Sequence, residues 1–291
     1  MRIRLTEEGP EVSRIVSGMM RLREWDLDSR ELSGFIGRCV GLGVTTFDHA
    51  DIYGDYSCER IFGDALRETP SLRDSIEIVT KCGIMLVSEN NPGCRVKHYD
   101  TSRGHIVSSV ENSLRRLGTD RIDILLIHRP DPLMDIGEVA STFDSLHRSG
   151  KVLHFGVSNF TPVQYDLLAS AMSRPLVTNQ IQASVLHLDP LEDGTLDHCI
   201  SRGIAPMAWS PLGGGGLFDG SDRAARLLKV LGERPDMMAL AWLLGHPSRI
   251  VPVLGTGRVE RIERAVSALD IRLDREEWTG IWAASRGGPV P

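Results

Sequence analysis

No stretch of this sequence approaches the roughly 20 consecutive apolar residues that a membrane-spanning helix requires. The opening segment MRIRLTEEGPEVSR reaches acidic residues at once and has no apolar core of the kind a secretory signal carries. There is no positive excess either: the formal net charge is −6, so no overall field exists to hold nucleic acid or an anionic membrane. The five cysteines (Cys39, Cys58, Cys82, Cys94 and Cys199) form no C-x-x-C pair and cannot all pair within one chain. Reduced, buried thiols in a cytoplasmic protein are the expectation. No cluster of His, Cys and carboxylate has zinc-ligand spacing. No heptad repeat suggests a coiled coil, which leaves a monomer as the expected state.

What is present is ordinary globular material, 41% hydrophobic and 25% charged over 291 residues. At about 150 residues per domain the length suggests two domains, but α/β barrels reach about 250 residues as one. Short β-branched runs recur from end to end: Ile15–Met20, Thr45–Ala50, Ile76–Cys82, Ile122–His128, Leu153–Ser158, Leu176–Gln182, Ile204–Ser210 and Arg249–Leu254. Several are apolar nearly throughout, as strands covered on both faces of a parallel sheet must be.

Helical patterns lie between them. Glu31 to Leu42 carries Leu32, Phe35, Ile36, Cys39 and Val40 as one stripe, and His105 to Leu117 carries Ile106, Val110, Leu114 and Leu117, with Gly118 in the stop position. Ser57 with Glu59 opens a helix bearing Ile61, Phe62, Ala65 and Leu66, and Thr161-Pro162 opens another. Eight strand–helix repeats point to a single-domain (β/α)₈ TIM barrel. A doubly wound sheet is the competing arrangement, but no G-x-G-x-x-G follows the first strand. Residues 1–14 read as a small hairpin around Glu8-Gly9-Pro10 that closes the barrel floor, and the chain from Asp274 reads as a last helix. Two long connections, Gly83 to Gly104 and Pro211 to Ser221, follow strands, on the face where barrels keep their active sites.

Four polar groups stand at neighbouring strand ends. Asp48 closes VTTF, Tyr53 follows it, Lys81 ends IEIVTK and His128 ends IDILLIH. Burying each alone would be costly, so a mutual network is expected in which Lys81 pairs with Asp48 and donates toward the Tyr53 hydroxyl. A nearby ammonium is expected to lower the phenol's pKa from about 10, easing proton donation to a developing alkoxide. His128 would donate to a substrate carbonyl oxygen. Alone, such a lysine commonly snorkels to solvent and such a histidine is commonly a bonded barrel residue.

The segments GVTTFDHADIYGDYSCERIFGDAL, IVTKCG, IDILLIHRPD, GKVLHFGVSNF, VTNQIQ, MAWSPLGGG and VPVLGTGRVERIERA, in this order, resemble the aldo-keto reductase superfamily across essentially the whole chain. HRPDPLMD and HFGVSNFTP resemble a bacterial oxidoreductase subgroup within it. The resemblance implies an Asp, Tyr, Lys, His tetrad at Asp48, Tyr53, Lys81 and His128, and NADPH, rather than NADH, extended across the barrel mouth. Ser158, Asn159 and Gln180 would clamp the nicotinamide carboxamide, and Trp209 would stack on its ring. Ser210, Leu212 and Gly213 would lie along the pyrophosphate. Gly255, Thr256 and Gly257, with Arg258 and Arg261, would hold the adenosine 2′-phosphate, consistent with anion binding by backbone N–H groups at a helix start and by arginine.

Two departures bear on that last site. Val253 and Leu254 follow Pro252 where many relatives have a basic residue, and Arg264-Ala265 stand where some carry Glu–Asn. A small carbonyl compound is the expected partner, in a pocket walled by Met19, Met20, His49, Tyr56, Ile84, Arg129 and the two long loops. A nicotinamide-binding sensor and a metal- or phosphate-dependent barrel lyase are the alternatives. Tight nicotinamide binding without turnover would mark the first, and chelator-sensitive activity the second.

Overall fold

The computed structural model describes residues 1–291. Eight parallel strands close on themselves: β1 (Val16–Gly18), β2 (Thr46–Asp48), β3 (Glu77–Cys82), β4 (Ile122–Ile127), β5 (Val152–Ser158), β6 (Leu176–Gln182), β7 (Met207–Trp209) and β8 (Val251–Leu254). The helices around them are α1 (Ser29–Gly41), α2 (Cys58–Glu68), α3 (Arg103–Leu117), α4 (Ile136–Arg148), α5 (Pro162–Ala171), α6 (Thr195–Ser201), α7 (Asp222–Leu231), α8 (Pro235–Leu244), α9 (Val259–Ser267) and α10 (Arg275–Arg286). This is the expected (β/α)₈ barrel. The paired strands are shorter than several of the apolar runs, because the ends of β1, β2, β7 and β8 leave the ladder to become the loops at its two rims.

Alternation along each strand divides the core into two layers. Val79 of β3, Ile124 and Leu126 of β4, Val177 of β6, Met207 of β7 and Val251 of β8 fill the barrel, together with Val16 and Val253. Their neighbours Ile78, Leu125 and Ile127 face the helices instead. The hairpin of Arg2–Arg4 with Glu11–Ser13 sends fully buried Leu5 and Val12 into the inner cluster, and the Leu5 carbonyl accepts from Ala205 N at 2.7 Å. It closes the barrel floor, leaving the opposite rim open.

Most helix starts follow local chemistry. Asp28 and Glu31 form a reciprocal capping box on α1, Thr161 and Gln164 do so on α5, and Asp274 and Glu277 on α10. Ser102 caps α3, which ends at Gly118 with φ 66°. Ser57 departs from expectation. Its hydroxyl donates backwards to the Gly54 carbonyl at 2.5 Å and caps nothing in α2.

Candidate active site

On β3 the inward alternation of Val79 continues to Lys81, and on β4 that of Ile124 and Leu126 continues to His128. The last inward residue of each strand is therefore polar and lies at the open rim. Lys81 Nζ meets both Asp48 oxygens at 2.9 and 2.7 Å, the His49 carbonyl at 2.8 Å and Tyr53 Oη at 3.1 Å. The lysine is 1% exposed, so its three N–H donors have only these acceptors. The Tyr53 and His128 rings meet edge to face, with centroids 5.8 Å apart.

Electrostatics assign the protonation states. Burial works against the Lys81 charge, yet attraction to Asp48 and Tyr53 carries its pKa above the ordinary value. Burial pushes the Tyr53 phenol up, and the Lys81 charge offsets this only in part. That reverses the expected lowering: desolvation of a phenolate outweighs one neighbouring ammonium that Asp48 already engages. Tyr53 therefore carries its proton at neutral pH. His128 is held well below the usual imidazole range by burial and by the charges of Lys81, Arg129 and Lys97, so it is neutral, and its Nδ1 has no partner.

A cavity of about 1120 Å³ opens above these groups, lined by Asp48, Tyr53 and His128 among others. Ser210, expected along the pyrophosphate, lines it. So do the expected clamp residues Ser158, Asn159 and Gln180 and the expected stacking residue Trp209, which form one chain of hydrogen bonds ending on Asp48. Trp209 Nε1 donates to Asn159 Oδ1 at 2.9 Å, Asn159 Nδ2 to Ser158 Oγ at 2.7 Å, Ser158 Oγ to the Gln180 carbonyl at 2.9 Å, and Gln180 Nε2 to Asp48 Oδ1 at 2.7 Å. Asn159 and Ser210 both hold positive φ (62° and 51°), backbone strain for non-glycine residues at this rim.

Further along the wall come Leu212, Gly255, Thr256 and Arg261. Gly213 itself packs against Leu186, and Gly214 and Gly215 line the cavity in its place. Gly257 lies under Trp25, where an added Cβ would stand 2.6 Å from the ring, so this glycine serves a close approach inside the protein. Arg258 is exposed outside the lining, and Arg264 is held by Asp236, with Nε 2.7 Å from Oδ2. The volume is far larger than a small carbonyl compound needs. With the cationic Arg261 at one end, it fits an extended nicotinamide dinucleotide.

Of the expected substrate wall, Met20, Ile84 and Arg129 line the cavity, and Arg129 lies 5.8 Å over the Trp209 ring. Three residues do not. Met19 is fully buried in the outer core beside Ile15 and Leu22. His49, next to inward Asp48, must face outward; it is fully buried against Phe62, with ring centroids 4.5 Å apart, and neither ring nitrogen has a partner. Tyr56 is turned away from the cavity, its hydroxyl accepting from Leu86 N at 3.0 Å. The two long loops expected in the wall contribute Lys97, Tyr99 and Phe218, and Arg21 joins them from a segment with no such expectation. Lys97 and Tyr99 arrive there because Ile84–Met85 pairs with His98–Tyr99 and folds the long loop after β3 back on itself.

The model of the aldo/keto reductase family matches residues 14–286. The chain belongs to the aldo/keto reductase family. It is 49% identical to a 6-dehydroglucose reductase of Agrobacterium fabrum, covering 96% of each chain, and 49% identical to an oxidoreductase of Bacillus subtilis, YcsN, covering 100% of this chain and 99% of the relative. Among solved structures, the thermostable aldo-keto reductase Tm1743 superposes with a TM-score of 0.80 at 26% identity, covering 98% of this chain and 99% of that one. This aldo/keto reductase is thus an NAD(P)H-dependent oxidoreductase whose family chemistry is carbonyl reduction.

Proposed function

We propose that this single-domain reductase converts an aldehyde or ketone to the alcohol with NADPH, using Tyr53 as the proton donor. The observation that carries the reading is the 3.1 Å contact from Lys81 Nζ to Tyr53 Oη, with Lys81 itself saturated by Asp48. When bound, the reduced nicotinamide supplies the hydride. The protein's part is to place the carbonyl oxygen and deliver a proton to it.

His128, neutral and lining the cavity, orients that oxygen by donating a hydrogen bond from its ring. Tyr53 gives up its proton as negative charge develops on the oxygen, and the charged Lys81 stabilises the phenolate left behind. Asp48 keeps Lys81 charged and aimed. Ser158, Asn159 and Gln180 would hold the nicotinamide amide, with Trp209 against its ring. Ser210, Leu212 and the glycines after it would follow the pyrophosphate. Arg261, which lines the cavity without a carboxylate partner, would take the 2′-phosphate, with Gly255 and Thr256 beside it.

For the substrate we favour a polar, hydroxylated carbonyl compound. Arg129, Lys97 and Arg21 bring three cations, and Tyr99 a phenol, to a wall that is otherwise largely apolar, and a 49% identical relative is named for reduction of 6-dehydroglucose. A single chain supplies every group needed, consistent with action as a monomer, and five free, buried cysteines suit a reducing cytoplasm. The test follows nicotinamide absorbance over a panel of sugar-derived aldehydes, aromatic aldehydes, ketones and quinones, with NADPH and NADH in parallel and Tyr53→Phe beside wild type. Turnover that needs Tyr53, prefers NADPH and is fastest on the hydroxylated aldehydes is expected. A folded Tyr53→Phe enzyme with undiminished turnover would falsify the role given to the phenol.

A further inference from the structure

Behind the tetrad, on the outer side of β3, lies a second polar cluster that takes no part in the cavity. Asp51 and Glu59 are 5% and 1% exposed, two carboxylates within the wall between β3, α2 and α3. Asp51 Oδ2 accepts from Ser109 Oγ of α3 at 2.7 Å, and Glu59 Oε1 accepts from Thr80 Oγ1 of β3 at 2.7 Å. Their other oxygens, Asp51 Oδ1 and Glu59 Oε2, have no hydrogen-bond partner. The one cation at hand is Arg116 of α3, whose Nη1 reaches the Asp51 backbone carbonyl at 3.5 Å and stands 3.6 Å from Glu59 Oε2, a loose ion pair with Glu59; no ion pair reaches the Asp51 carboxylate. Cys82 of β3 is close enough to feel both carboxylates, and burial holds its thiol neutral. His49, on the same side of the wall, is also neutral and is packed on Phe62.

Two buried carboxylates against one loosely placed guanidinium leave an excess negative charge, and buried charge without a partner is costly. One proton bound to either carboxyl removes the excess charge. The cluster grips Lys81 from behind at two points. Glu59 holds Thr80, the residue before it, and the Asp51 amide donates to the Lys81 carbonyl at 3.0 Å.

We propose that Asp51 and Glu59 are a positioning pair in which one of the two carboxyls is protonated, thereby fixing the backbone on which Lys81 is presented to Tyr53. When that proton leaves, the two carboxylates repel, the grip on Thr80 and Lys81 loosens, and proton delivery slows. The inference rests on the role given above to Lys81. It agrees with the direction of the charges: burial pushes Asp51 up to about 7, with Glu59 adding to the rise, and burial raises Glu59 as well.

The experiment combines infrared titration with pH–rate profiles on wild type, Asp51→Asn and Glu59→Gln. Wild type is expected to show a protonated carboxyl stretch that fades as pH rises through neutrality and is missing in Asp51→Asn. Its kcat is expected to fall over the same range. In Asp51→Asn, which mimics the protonated acid, kcat at the acid end stays within about threefold of wild type and the fall disappears, with KM for NADPH unmoved. Glu59→Gln should flatten the profile in the same way, so the proposal does not depend on one variant folding. No carboxyl band at any pH, or an unaltered kcat profile in the folded variants, overturns the pairing. If instead Tyr53→Phe and Lys81→Met retain turnover, it is the assignment of the tetrad that fails.

Discussion

Lys81 and Asp48 form an ion pair closed off from solvent, with side-chain exposures of 0% and 3% and a shortest contact of 2.7 Å. Asp48 also receives Gln180 Nε2 from the far side of the barrel, so the carboxylate ties the expected tetrad to the expected cofactor clamp. Removing only the lysine strands a buried carboxylate. Lys81→Met is therefore expected to cost about 3–5 kcal/mol of stability and to reduce turnover at least about a hundredfold. Adding Asp48→Asn removes the stranded charge while still accepting from Gln180. The double variant should regain much of the denaturation midpoint but none of the turnover, and a double variant no more stable than Lys81→Met would contradict the account.

Arg129 lies over the Trp209 ring at the cavity wall, its cation unpaired by any carboxylate. Arg129→Met keeps a long apolar stem but loses the donors. KM for hydroxylated aldehydes is expected to rise about tenfold, one lost hydrogen bond to a charged group, while KM for an aromatic aldehyde of similar size changes little. Equal effects on both substrates would mean that Arg129 shapes the wall without reading polarity.

How far the site could be read from the sequence follows from strand period. IEIVTK and IDILLIH each end with a polar residue in step with the inward alternation, which places Lys81 and His128 on the barrel interior without any structure. The same rule, applied to TFDH, sends His49 outward once Asp48 points in; expecting both in the pocket ignored the period of two. Met19 beside inward-facing Gly18 fails for the same reason. The loop after β3 is legible as a wall of the pocket, but that Lys97 and Tyr99 are the residues it presents is not, because their place depends on a two-residue pairing across a loop whose sequence has no strand signal. The direction of the Tyr53 shift was not legible either, since it turns on how completely the phenol is desolvated.

The buried His49 ring predicts an acid weakness. Burial, followed by the Lys81 charge, holds its pKa near about 3, against 6.5 for an unperturbed imidazole. As pH falls below 6.5 the unfolded chain takes up the proton while the folded one does not, so stability is lost progressively down to about 3, at roughly 1.4 kcal/mol for each unit of pH. His49→Leu removes this contribution and still packs on Phe62. Its chemical-denaturation midpoint should match wild type near neutrality and decline less steeply in acid. Parallel declines in the two proteins would show that other groups set the acid limit.

Two helix glycines separate close approach from mere absence of a side chain. Gly63 of α2 lies so near α3 that an added Cβ would stand 2.1 Å from the Arg116 carbonyl oxygen, which is backbone and cannot swing aside. Gly63→Ala must push the two helices apart, and overpacking of this kind costs about 1–3 kcal/mol or more. Gly34 of α1 has nothing within 4 Å of the same position and sits on the exposed face. Gly34→Ala should stabilise by about 1 kcal/mol, through helix propensity alone. The two substitutions are chemically identical, so thermal unfolding of both isolates the helix contact from propensity. Because Arg116 belongs to the buried carboxylate cluster, Gly63→Ala should also disturb the pH–rate profile, whereas Gly34→Ala should leave it alone. If both alanines stabilise, the α2–α3 approach is looser than the 2.1 Å clash requires.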